Sequence, residues 1–151
     1  MKKLFITGII AAFAMQFAQA STVCDAKTSL NDARSNLVEM VGMSDKAAEE
    51  GIKAELDALR EKVNAATTNL KTAIAALEGE NAETASKDVV ATLKTTWADF
   101  ENTRESEIMP NVYSGKKADA KAIATGIQAE RMAVMNDSIS KLGGDSCEEA
   151  K

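Results

Sequence analysis

The apolar residues between positions 52 and 77 recur at alternating intervals of four and three, which is the spacing of one face of a bundled α-helix. They are Ile52, Leu56, Leu59, Val63, Ala66, Leu70, Ala73 and Leu77. A repeat of about 3.5 residues keeps one face toward a neighbouring helix and favours left-handed packing of helices that lie nearly parallel or antiparallel. This segment therefore predicts a long helix that belongs to a helical bundle.

Three further segments carry a similar stripe, and breaks rich in Gly, Pro, Asn and Ser separate the four. The breaks are GMS (42–44), EGEN (78–81), PNVYSG (110–115) and GG (143–144). They predict helices at about residues 22–41, 45–77, 82–108 and 116–142. The stripe of the fourth helix is the loosest and consists of Ile123, Ile127, Val134, Ile139 and Leu142. The expected fold is all-α, an antiparallel up-down-up-down four-helix bundle.

The first twenty residues have the three parts of a secretory signal peptide. Lys2 and Lys3 precede the apolar run LFITGIIAAFAM, and FAQA places Ala18 and Ala20 where a signal peptidase reads small residues. We expect cleavage after Ala20, with a retained anchor as the alternative. The mature chain, residues 21–151, is then a single periplasmic or secreted domain with no membrane span.

The two cysteines lie near the two ends of this mature chain. An up-down-up-down bundle brings the start of its first helix and the end of its last helix to the same end. An exported protein folds in an oxidising compartment, so Cys24 and Cys147 are expected to form a disulfide that closes the bundle there.

Histidine is absent from the chain, and the net charge is −5. The absence of histidine excludes His-based catalysis and most haem or zinc ligation, so we expect a protein that is not an enzyme and has no cofactor. An acidic chain without a basic tract is not expected to bind nucleic acid or an anionic membrane surface. A further alternative is a Cu(I) site formed by the thioethers of Met40, Met43 and Met109, which share one end of the predicted bundle.

An arginine follows two aromatic residues in the stripe of the third helix, in the order Trp97, Phe100, Arg104. One interpretation is that Arg104 reaches water or pairs with a glutamate of the second helix. The other is that its guanidinium is unpaired beside aromatic walls and binds a carboxylate ligand. Arg34 from the first helix and Tyr113 from the following loop approach the same region.

Two glycines within the predicted helices lie near the levels of these residues. Gly51 is close to the level of Arg104, and Gly126 is close to that of Trp97. Because glycine destabilises a helix interior by about 1 kcal/mol, we expect each to make room for a bulky neighbour or for a ligand.

The run W-x-x-F-x-x-x-R-x-x-x-I-x-P from Trp97 to Pro110, followed by Gly115 and by GIQAERM (126–132), resembles part of a known family. It is similar to the second half of the four-helix-bundle sensor domains of methyl-accepting chemotaxis receptors, over about residues 90–142. The resemblance implies an extracytoplasmic domain that binds small ligands, often acids, near the end far from the membrane. The expected form is a stand-alone exported version, because a leader precedes the bundle and the chain stops at Lys151.

The predicted function is that of a soluble exported binding module for a small ligand such as a carboxylate, or for another periplasmic or membrane protein. The alternative is a structural or chaperone-like periplasmic helper without a small-molecule site. A stable homodimer along the loose fourth helix would favour this alternative.

Overall fold

The computed structural model describes the backbone of residues 9–80 and 84–148, and the side chains of residues 21–80 and 86–147. All the regular structure in these ranges is helical. The α-helices are α1 (Ile9–Met43), α2 (Ile52–Glu80), α3 (Thr84–Thr103), α4 (Met109–Tyr113), α5 (Lys117–Thr125) and α6 (Ile127–Lys141). A π-helical turn, Arg104–Ile108, joins α3 to α4 and is called the π segment below. Short 3₁₀ turns are found at Ser44–Lys46 and Gly144–Glu148.

The predicted signal peptide, residues 1–20, lies outside the described side chains, and its first eight residues lie outside the described backbone as well. No helix in the described part of the chain is both long enough and apolar enough to cross a membrane.

The predicted stripe of the second helix is buried from Leu56 to Leu77. Only Ile52, at the start of α2, is partly exposed. The stripe predicted for the fourth helix is wrong at Ile127 and Val134, which are exposed, whereas Ile139 is buried and Ile123 and Leu142 pack partly buried against the core. The core positions of α6 that the stripe did not include are Gln128, Met132, Met135 and Ser138. A break at Gly126 ends α5, and α6 begins at Ile127.

Three predicted helix boundaries differ from the observed ones, each for a local reason. The second helix begins at Ile52 rather than at position 45, because Gly51 has a left-handed φ of +88° that no helix continues through. The helical run that starts with α3 does not end before Pro110 but continues through the π segment and α4 to Tyr113. A proline is well tolerated there because it lies in the first turn of the short α4. The fourth helix is divided at Gly126 into α5 and α6.

Contacts between the helices have the order expected of antiparallel neighbours. Thr22 of α1 donates a hydrogen bond to Glu80 at the end of α2. Tyr113 at the end of α4 donates to Asp57 near the start of α2. The predicted disulfide between Cys24 and Cys147 is confirmed, with a Cα–Cα distance of 5.3 Å. It lies at the same end of the bundle as the hydrogen bond from Thr22 to Glu80.

Candidate functional site

Arg104 is buried in the bundle, with only 2 % of its surface exposed, and each of its three nitrogens has a partner. Nε donates to Oε1 of Glu105 at 2.8 Å, and Nη1 donates to Oγ1 of Thr67 on α2 at 2.9 Å. Nη2 lies 3.8 Å from Oε1 of Glu101. The guanidinium carbon lies 5.8 Å from the centre of the Trp97 ring. The Arg104 guanidinium is therefore already paired with neighbouring groups of the protein.

Both sequence interpretations of Arg104 need correction. It does not reach water. Its carboxylate partners are not glutamates of α2 but Glu105 of the π segment and Glu101 of α3. Neighbouring residues of an α-helix point in different directions. A π-helical turn has i→i+5 hydrogen bonds and more residues per turn, so Arg104 and Glu105 diverge less and can pair. The expectation of an unpaired guanidinium is not met.

The ion-pair network continues from Arg104 to Tyr113 at the surface. Nη2 of Arg60 donates to Oε2 of Glu105 at 2.8 Å, and its guanidinium lies 5.9 Å from the centre of the Tyr113 ring. The Tyr113 hydroxyl donates to Oδ1 of Asp57 at 2.8 Å. Hydrogen bonds from Lys53 and then Tyr113 lower the pKa of Asp57, whereas partial burial and then the bond to Asp57 raise the pKa of Tyr113.

Trp97 and Phe100 stack on each other, with ring centres 5.3 Å apart and planes inclined by 15°. The indole Nε1 of Trp97 is buried and has no hydrogen-bond partner within the described ranges. The backbone carbonyl of Phe100 accepts a hydrogen bond from Nε2 of Gln128 on α6, at 2.9 Å. Arg131 then bridges the Gln128 amide oxygen and the Thr103 hydroxyl, so α6 is tied to α3 just before the π segment.

A cavity of about 440 Å³ lies between α1, α5 and α6, beside Phe100. It lies along the break in the last helix, where α5 ends and α6 begins. At that break a Cβ on Gly126 would come within 2.9 Å of the Ala122 carbonyl oxygen, so the close approach of the backbone requires glycine. Gly126 thus permits the break between α5 and α6. Gly51 lies in the loop before α2, where its left-handed φ favours glycine.

Three cationic side chains line this cavity, namely Arg34 of α1 and Lys117 and Lys121 of α5. Arg34 and Lys121 are exposed, and Lys117 lies 3.1 Å from the carboxylate of Asp45. No Asp or Glu belongs to the lining as far as the described residues show. In a chain of net charge −5, a cleft lined by one sign of charge focuses the potential and attracts anions.

Of the residues predicted for a ligand site, the structure brings Arg34 and Phe100 together at the cavity. Trp97 and Arg104 lie behind Phe100 in the core, and Tyr113 belongs to the network at Asp57.

The sequence interpretation missed Lys117, Lys121 and Gln128. The four-residue spacing of the two lysines was a signal that could have placed them on one helical face. Of the proposed copper ligands, Met40 and Met109 are buried in the core and Met43 is partly buried. The copper site stays a prediction.

A comparison with protein families identifies the chain. A family described as "Four helix bundle sensory module for signal transduction" matches residues 14–151. No curated protein and no solved structure matches the chain significantly. The family match extends over the helices that form the cavity and confirms the resemblance to the sensor bundles of chemotaxis receptors. The chain belongs to the family of four-helix-bundle sensory modules for signal transduction.

Proposed function

We propose that this chain is an exported binding module, without enzymatic activity, that senses a small carboxylate bound in the cavity between α1, α5 and α6. The observation that carries the proposal is the lining of the cavity, where Arg34, Lys117 and Lys121 meet and the described lining holds no carboxylate. Membership of a sensory family supports a ligand-binding role. The disulfide supports an extracytoplasmic location, because such bonds persist in oxidising compartments.

Each basic side chain has a distinct part in this proposal. Arg34 presents a planar guanidinium that can bind a carboxylate through two parallel hydrogen bonds, and Lys121 adds a mobile point charge. Lys117 is already paired with Asp45 and contributes less. Arg104 and Trp97 contribute indirectly, because they hold the ring of Phe100 in the wall of the cavity.

The test is thermal unfolding of the mature chain, residues 21–151, against a panel of small carboxylates. A ligand at about one hundred times its dissociation constant adds about 2.7 kcal/mol to the free energy of unfolding. We expect Arg34→Gln and Lys121→Gln to remove most of the stabilisation. Lys62→Gln is the matched control, since Lys62 is an exposed lysine of α2 that does not line the cavity, and it should leave the stabilisation intact.

The outcomes separate the proposal from its alternative. Stabilisation that survives both cavity substitutions would place the ligand elsewhere. If no carboxylate stabilises the wild-type chain at all, the proposal fails and the helper-protein alternative gains. The mass of the chain purified from the periplasm tests the exported state, because cleavage of the leader predicts Ser21 as the first residue.

A further inference from the structure

The wall of the cavity has two parts of different chemistry. Its cationic side chains are at least partly in contact with solvent. Its other part is apolar and buried, and consists of Leu37, Val41, Phe100 and Met132. A ligand that fills this cavity therefore meets positive charge at the rim and hydrocarbon at the floor.

Gln128 is the buried polar side chain of the lining, and its amide group is already hydrogen-bonded within the protein. Its amide nitrogen donates to the Phe100 carbonyl, and its amide oxygen accepts from Arg131. The Thr125 hydroxyl likewise donates to the carbonyl of Lys121. A polar group pushed against the floor would lose its water without gaining an equivalent partner, which is costly.

From this division we infer that the ligand is an amphipathic monocarboxylate, with its carboxylate at Arg34 and Lys121 and an apolar body against Phe100 and Met132. The inference rests on the proposed function and narrows its ligand class. A volume of about 440 Å³ lies within the range of about 300 to 1,000 Å³ that is usual for small-molecule pockets, so it leaves room for the apolar body.

Two other classes of acid fit the lining less well. The ammonium group of an amino acid would approach three cations and find no carboxylate in the described lining. A short dicarboxylic acid with both carboxylates at the rim would leave the apolar floor empty. In the other orientation its second carboxylate would lie unpaired against Leu37 and Met132. A neutral alcohol of the same length would fill the floor but leave the rim cations without an anion.

The experiment is isothermal titration of the purified protein with butanoate, hexanoate and octanoate, beside succinate, leucine and octanol. Affinity should rise about fourfold for each methylene that is buried, following the transfer free energy of hydrocarbon, until the floor is full. Octanoate should then bind far more tightly than butanoate, and succinate and leucine should bind more weakly than hexanoate. The heat-capacity change should become more negative along the series.

A substitution at Met132 tests whether the apolar body of the ligand lies in this cavity. Met132→Gln should flatten the dependence of affinity on chain length by weakening octanoate far more than butanoate, and circular dichroism checks that the variant is folded. Arg34→Gln should weaken every carboxylate by a similar factor and preserve the dependence on chain length. If Met132→Gln does not fold, the series on the wild-type protein still decides the question.

Failure of the inference differs from failure of the proposed function. If butanoate and octanoate bind equally well, or succinate binds best, and Arg34→Gln weakens them, the cavity binds carboxylates but the apolar body is refuted. If no acid in the series binds, or if octanol binds as tightly as octanoate, the proposed carboxylate function itself is refuted. A chain-length dependence that Met132→Gln leaves unchanged would place the apolar body outside this cavity.

Discussion

Removal of the buried cation Arg104 should destabilise the fold less than removal of its more exposed partner Glu105. Arg104→Met replaces the guanidinium with an unbranched apolar side chain that can fill its place in the core. The groups left behind keep partners, because Glu105 still pairs with Arg60 and Glu101 with Lys71. Replacing a buried ion pair by packed apolar atoms is often neutral or stabilising, so we expect a cost below about 1 kcal/mol.

Glu105→Ala leaves a guanidinium that is only 2 % exposed with Thr67 and a distant carboxylate as its remaining partners. Breaking a buried pair in this way costs about 3 to 5 kcal/mol when the remaining charge is uncompensated. Here Glu105 is 36 % exposed and Glu101 stays at 3.8 Å, so screening and residual attraction reduce the expected cost to about 2 kcal/mol.

The assay is urea unfolding followed by circular dichroism and by the fluorescence of Trp97, which is the chain's one tryptophan and lies beside Arg104. In the double variant the cost of Glu105→Ala should nearly vanish, which gives a coupling of about 2 kcal/mol. Arg60→Met is the matched control, since Arg60 pairs with the same carboxylate but is 37 % exposed, and should cost less than about 1 kcal/mol. A larger loss for Arg104→Met than for Glu105→Ala would refute the reasoning.

Three further predictions concern the helix break, the surface network and the disulfide. Gly126→Ala should lower the free energy of unfolding by more than about 1 kcal/mol, because its Cβ would meet a backbone carbonyl, whereas Gly42→Ala in the open part of α1 should be neutral or stabilising. Tyr113→Phe should raise the pKa of Asp57 toward 3.8 in an NMR titration, although the bond from Lys53 keeps part of the shift. The stability that ionised Asp57 contributes is lost as pH falls from its unfolded-state pKa through its folded-state pKa, so in the variant this loss should be smaller and should be complete at a higher pH. Reducing the disulfide should lower the urea midpoint by the equivalent of about 4 kcal/mol, because it closes a loop of 123 positions.

The sequence predicted the bundle well because the heptad stripe of the second helix is uninterrupted. Each position from Leu56 to Leu77 in the heptad series is buried, and the disulfide forms where the topology requires it. Both features follow from local periodicity and from the order of the helices, which can be read without knowledge of distant contacts.

The fourth helix could not be predicted in the same way. Its apolar residues Ile127 and Val134 are exposed, and its core includes the polar Gln128. A periodicity argument assumes one continuous helix, whereas this helix is broken at Gly126. The sequence shows the glycine but does not show whether a neighbouring helix leaves room for a continuous path or forces a break.

The candidate site was predicted only in part for a related reason. Arg104 was singled out because a cation in an apolar stripe is unusual, but the π segment gives it a partner at the next position in the chain. Lys117 and Lys121 look like ordinary surface lysines, and the packing of α5 against α1 brings them to a cavity with Arg34. Their significance depends on tertiary geometry that no local spacing reveals.

Arg104 and the cavity are nevertheless connected through one side chain. The guanidinium lies over Trp97, Trp97 stacks on Phe100, and the ring of Phe100 forms part of the cavity wall. Gln128 holds the backbone of the same Phe100 from the opposite helix. A buried ion pair is weak evidence for stability, but it can fix one arrangement of a core among several. Arg104→Met should therefore retain most of the stability of the fold while weakening any ligand that depends on the position of Phe100, and a variant with normal affinity would show that the wall is held without it.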